Sequence, residues 1–183
     1  VNRVVSFTVS QGIGVTQTYE FKVKVNTGTY FTPVNLINDS LPNTTLPTGW
    51  ITAAIPAANV WTVSNLASHS APNALYVENI VVAGDQKLVS PTIALPAGKS
   101  PRLHFWHKYN TEDGWDGGVV EISTNGGSVW NDLGSFIVKN AYNSSLGDAP
   151  TCVLSNRQAF TGTINDFQRT TDRKSTRLNS SHR

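Results

Sequence analysis

Arg102-Leu103-His104-Phe105-Trp106-His107-Lys108-Tyr109 alternates without a break, setting Leu103, Phe105, His107 and Tyr109 on one face and Arg102, His104, Trp106 and Lys108 on the other. A period of two marks a half-buried β-strand, so the first set is predicted to face a core. Downstream, runs at 117–124 and 128–133 flank Asn125-Gly126, residues tolerant of positive φ, which predicts a tight hairpin turn. Further strand candidates lie at 59–64, 73–79, 86–95 and 135–139, with Pro91 marking an edge or a bend. Upstream, Asn38-Asp39-Ser40-Leu41-Pro42 and Leu46-Pro47-Thr48-Gly49-Trp50 are turn-rich and end in a tryptophan suited to sealing one end of a core. Short strands at regular spacing predict an all-β chain built as a sandwich or barrel.

The first residues carry the same period. Val5, Phe7 and Val9 share one face of residues 4–9, and Tyr19, Phe21, Val23 and Val25 share one face of residues 19–25. An isolated hairpin is marginal in water. Residues 1–29 are therefore expected to be the last strands of a preceding immunoglobulin-like domain, with Asn26-Thr27-Gly28-Thr29 as the exit. The alternative is that they join the main sandwich.

Only 14% of the 183 residues are charged and there is no methionine, so long helices are not expected and the chain, starting at Val1, is expected to be cut from a longer reading frame. No run approaches the roughly 20 apolar residues of a membrane helix. The single Cys152 excludes an internal disulfide and a cysteine metal cluster, and no local Cys/His pairing supports a nucleophile.

Residues 172–183 form a separate segment. Asp172-Arg173-Lys174-Ser175-Thr176-Arg177-Leu178-Asn179-Ser180-Ser181-His182 matches the translation of a common sequencing-library adapter, so it is set aside from fold reasoning and expected to make no packed contacts. Without it the chain carries 10 Lys and Arg against 11 Asp and Glu, which removes the electrostatic case for nucleic acid.

From these residues the chain resembles the jelly-roll modules, related in architecture to MAM domains, that accompany secreted bacterial metallopeptidases of the immune-inhibitor-A and fungalysin-like kinds. The resemblance is carried by Asp85-Gln86-Lys87-Leu88-Val89-Ser90-Pro91, by Leu103-His104-Phe105-Trp106-His107, by the block from Trp115-Asp116-Gly117-Gly118 through Asn125-Gly126-Gly127 to Val129-Trp130, and by Arg157-Gln158-Ala159-Phe160-Thr161-Gly162. It covers about residues 35–171 and implies a jelly-roll β-sandwich over 30–171 in an extracellular, secreted protein. Neighbouring domains of the same chain, and a polysaccharide or protein surface, are the implied partners. Two departures stand out. Thr151-Cys152-Val153-Leu154-Ser155-Asn156 replaces a Pro-Leu-Ala-Gly-like stretch, and the family's last strands do not follow Thr171. The domain is thus expected to be truncated, with vacant sheet edges.

Chemistry has few candidate carriers. A peptidase of these families needs a His-Glu-x-x-His helix, which is not in the sequence. His104 and His107, three apart on a strand, point to opposite faces and cannot chelate one ion together, and His107 reads as a core histidine. His69 falls in a loop. Glu112, Asp113 and Asp116 crowd one turn and offer oxygen ligands for Ca²⁺; alternatively Asp116 caps its own turn by side-chain hydrogen bonds. Trp106 and Trp115 offer a stacking platform for sugar rings, unless a second sheet or a neighbouring domain covers Trp106. The expected role is a non-catalytic accessory module, with a carbohydrate- or surface-binding adhesin module as the alternative.

Overall fold

The computed structural model describes residues 2–11, 15–24, 36, 41–95, 101–150 and 152–173. The chain divides into two compact units, Val1–Asn35 and Leu36–Arg183. In the first, β1 (Asn2–Gln11) and β2 (Val15–Lys24) pair antiparallel, with Val5 opposite Phe21 and Phe7 opposite Tyr19. The expected exit at 26–29 lies outside the described residues.

The second unit is all-β, with a single 3₁₀ turn at Gly134–Phe136 and no α-helix among the described residues. Its strands are β3 (Ile51–Ile55), β4 (Thr62–Ser64), β5 (Ala74–Tyr76), β6 (Asp85–Val89), β7 (His104–His107), β8 (Gly117–Gly118), β9 (Glu121–Ile122), β10 (Asn131–Asp132), β11 (Ile137–Lys139), β12 (Ser144–Ser145), β13 (Gln158–Thr161) and β14 (Gln168–Asp172). They form small antiparallel sheets: β3–β6, β4–β5, β9–β10, and two of three strands, β11–β14–β7 and β12–β13–β8. As Pro91 suggests, β6 ends before it, at Val89.

The two three-stranded sheets meet through Phe160 of β13, which is 6% exposed. Its ring centroid lies 4.4 Å from His107, 6.3 Å from Phe105 and 6.0 Å from Tyr109, all from the alternating stretch, and 4.8 Å edge-on from Tyr142. The predicted inner face is thus half-buried at Phe105, His107 and Tyr109, whereas Leu103 lies outside the strand and is exposed. β13 is buried along three successive residues, Ala159, Phe160 and Thr161. Gly117 is what lets β8 lie against it: a Cβ there would sit 2.7 Å from the Phe160 carbonyl oxygen.

Two expectations are corrected. Asn125-Gly126 does not form a two-residue turn, because the hairpin joins Glu121–Ile122 to Asn131–Asp132 through eight residues. Positive φ falls on Gly126 and Gly127, while the Asn125 carboxamide oxygen accepts the Val129 N–H at 2.9 Å and the Ser123 hydroxyl accepts the Gly127 N–H at 2.8 Å. Side chains that can satisfy a longer loop make the tight turn unnecessary. Second, Asp172 does make packed contacts. It ends β14 on the same face as buried Thr170, opposite Ile137, and its carboxylate accepts the Leu103 N–H at 2.8 Å. Arg173 follows with its guanidinium on the Ser135 carbonyl at 2.8 Å. The rest of that segment lies outside the described residues.

Truncating Phe160 to Ala is expected to cost about 3–5 kcal/mol, the usual range for a buried aromatic, read as a lower urea midpoint. Gly117→Ala should destabilise by roughly 1–3 kcal/mol because backbone must move to admit the methyl. Unchanged midpoints in both variants would show that the sheets do not meet on this seam.

Candidate functional site

The acidic turn at 112–116 is held by its backbone. The Trp115 and Asp116 N–H groups donate to the Glu112 carbonyl at 3.1 and 2.9 Å, and Gly114 takes φ +75°. From β13, the Thr161 hydroxyl, 1% exposed, accepts the Gly114 N–H at 2.9 Å and donates its one proton to the Asp116 carbonyl at 2.6 Å. Asn143 clamps the same residue: Thr161 N–H donates to its Oδ1 at 2.9 Å and its Nδ2 donates to the Thr161 carbonyl at 2.8 Å. Thr111 accepts the Gly162 N–H at 3.0 Å. The Asp113 carboxylate lies over Gly162, 3.0 Å from where a Cβ would be.

This corrects the expected cap. Asp116 enters the turn through its main chain, and its carboxylate makes no turn-capping bond among the described residues. Nor are Glu112, Asp113 and Asp116 gathered into a ligand set, since no group of three His, Cys, Asp or Glu side chains among the described residues is placed to hold a metal ion.

The two candidate tryptophans part company. Trp115, 52% exposed, lays its six-membered ring against Gly147, 3.0 Å from where a Cβ would stand. Trp106, on the outer face of β7, is 47% exposed and stacks on His69, with centroids 3.8 Å apart and planes 15° from parallel. Among the described residues, the ring that stacks on Trp106 is a loop imidazole. Phe167 meets that imidazole edge-on at 6.2 Å.

His107 is tied into the core. Its Nε2 lies 2.8 Å from the Thr170 hydroxyl, which is also 2.8 Å from the Asn140 carbonyl. A hydroxyl has one proton, and the carbonyl can only accept it, so His107 is the donor and carries a proton on Nε2. Burial lowers its pKa. Across the sandwich, one guanidinium nitrogen of Arg157 joins Glu121 at 2.8 Å and Asp132 at 2.6 Å. Tyr142, between Asp132 and Val120, accepts the Val120 N–H at 2.7 Å, and burial pushes its phenol well up. Cys152 is a half-buried free thiol.

Comparison of the chain with protein-family models, curated proteins and solved structures found no match. Thr161 and Arg157 stand in a stretch quoted above, but nothing in its pattern showed that a hydroxyl there would anchor the acidic turn. His69 carried no signal, because its stack on Trp106 joins residues far apart in sequence.

Thr161→Val keeps the shape and removes the hydroxyl, leaving the Gly114 N–H unpaired while the Asp116 carbonyl keeps the Thr111 hydroxyl at 3.1 Å. A loss of about 1–3 kcal/mol is expected. Chelator or added Ca²⁺ should leave the melting midpoint unchanged, since the turn is held by hydrogen bonds; a rise with Ca²⁺ would establish an ion site. His107 supplies a pH dependence. Burial disfavours the charged ring, so its contribution is intact above about pH 6.5, the unfolded value, and is lost as the pH falls below it. Exposed His104 is lowered too, by burial first and then by Arg169. His107→Phe should therefore flatten most, not all, of the fall in urea midpoint between pH 8 and 5. An unaltered slope would place the effect elsewhere.

Proposed function

We propose that residues 36–173 act as a non-catalytic interaction module of a larger extracellular protein, a jelly-roll unit of the MAM-like kind that accompanies secreted metallopeptidases. One observation carries the reading. The buried side chains that have chemistry to offer are spent on the scaffold: Thr161 on the acidic turn, Thr170 on His107 and Asn140, and Asp172 on the Leu103 N–H. Groups bonded in this way hold a surface in shape for a partner, and neighbouring domains of the same chain are the first partners to expect. The fold does not choose the partner, since sandwiches host many unrelated roles.

The alternative, a carbohydrate- or surface-binding adhesin module without an attached peptidase, is favoured by one feature, the exposed Trp106 braced by His69. Reading the gene across both ends separates the two. A His-Glu-x-x-His peptidase domain upstream is expected under the first, and tandem immunoglobulin-like repeats with a cell-wall anchor would favour the second. The purified chain is expected to release no peptides from casein with or without Zn²⁺. Zinc-dependent proteolysis that disappears in His104→Ala or His107→Ala would overturn the non-catalytic reading.

A further inference from the structure

The outer face of the β11–β14–β7 sheet concentrates positive charge around a tryptophan. Register places Trp106 directly opposite Arg169, His104 opposite Thr171, and Thr171 opposite Lys139 on its other side. Paired residues project from the same face, the β11–β14 register shifts between Ile137 and Lys139, and adjacent strands are about 4.8 Å apart, so the row from Lys139 to His104 spans roughly 10 Å. Arg102 lies two residues before the strand and is exposed. None of Arg102, Lys139 and Arg169 makes an ion pair among the described residues. Their field is felt locally. His104 has its pKa lowered by burial and then by the charges of Arg169 and Arg102, against the opposing pull of Asp172.

We propose that this face, centred on Trp106 and Arg169, binds an acidic polysaccharide. The indole supplies an apolar plane for a sugar ring, and the neighbouring cations, which make no ion pair among the described residues, supply partners for uronate or sulfate groups. His69, stacked on one face of Trp106 and bonded through Nδ1 to the Ser70 hydroxyl at 3.0 Å, fixes the indole before a ligand arrives. That reduces the ordering cost of binding. Nucleic acid fits less well. Single strands are held by successive aromatic platforms along an extended basic groove, whereas among the described residues His69 already takes one face of this indole. The assignment rests on reading the unit as an interaction module and names the ligand for it.

The test is affinity electrophoresis of the full chain in gels containing polygalacturonate, dextran sulfate, neutral dextran, polyglutamate or oligothymidylate. Retardation is expected with the first two, weakening as salt rises, and none with neutral dextran. Trp106→Ala should weaken binding roughly tenfold, the scale of one lost aromatic contact. Arg169→Glu with Lys139→Glu should abolish it. Lys174→Glu with Arg177→Glu, which removes two cations that the proposal does not use and alters net charge equally, should retain it. Trp106, Lys139 and Arg169 are exposed, and matching urea midpoints would confirm that all three variants fold. The proposal is overturned if neutral dextran retards the chain equally, or if oligothymidylate or polyglutamate binds as tightly and indifferently to Trp106→Ala. Loss of binding only in the Lys174/Arg177 variant would overturn it as well. Absence of any retardation defeats the ligand assignment alone, because the module reading stands or falls on the proteolysis assay.

Discussion

The contact of Phe160 with the rings of Phe105, His107 and Tyr109 is the constraint on which the second unit depends. Few other apolar side chains of the described residues are deeply buried: Val63, Leu133, Ile137, Leu146 and Ala159 complete the set. A core this small cannot absorb the loss of its largest ring by repacking around it. The position also explains its neighbours. Gly117 must lack a side chain because the Phe160 carbonyl stands in the way, Ala159 must be small because it lies beside that close approach, and Tyr142 meets the ring edge-on from the far side.

Around that seam, polar groups do work that apolar ones do in larger cores. The two largest fully buried side chains are threonines, Thr161 and Thr170. Each accepts one hydrogen bond and donates another, so neither is left unpaired, and every buried side-chain nitrogen or oxygen among the described residues has a partner. The net gain per bond is modest, about 1 kcal/mol, but the penalty for breaking one inside the protein is larger. Specific geometry follows: the Nε2 proton of His107 and the path of the acidic turn are each fixed by where a single hydroxyl proton points.

This division explains what was legible in the sequence. β1, β2 and β7 could be read because their apolar residues alternate, and a period of two survives without tertiary context. β14 could not. Its sequence, Gln168-Arg169-Thr170-Thr171-Asp172, holds no apolar residue, and its inward positions are Thr170 and Asp172, whose burial is compensated by bonds from His107 and Leu103. Hydropathy patterning is blind to a strand that buries polar groups in pairs. β13 escaped for the opposite reason, since three consecutive buried residues erase the alternation. The three carboxylates at 112–116 looked like a site because the sequence shows side chains, whereas the turn is organised through carbonyls and N–H groups that composition does not display.

The same polar strand ties the core to the surface. β14 lies between β11 and β7, so its inward residues, Thr170 and Asp172, and its outward ones, Arg169 and Thr171, alternate on one backbone. Shifting it by one residue would send Thr170 outward and bring Arg169 in, breaking the bonds to His107 and Leu103 and burying a charge in one step. The register is therefore set by hydrogen bonds rather than by a hydrophobic pattern, and that register is what places Arg169 beside Trp106. Burial pushes the Asp172 carboxyl up, even against the Leu103 N–H that favours its charge. The face proposed to hold an acidic ligand is thus backed by a carboxylate turned inward, which pulls on His104 against Arg169 and Arg102 while its hydrogen bond to Leu103 keeps it on the opposite side of the strand.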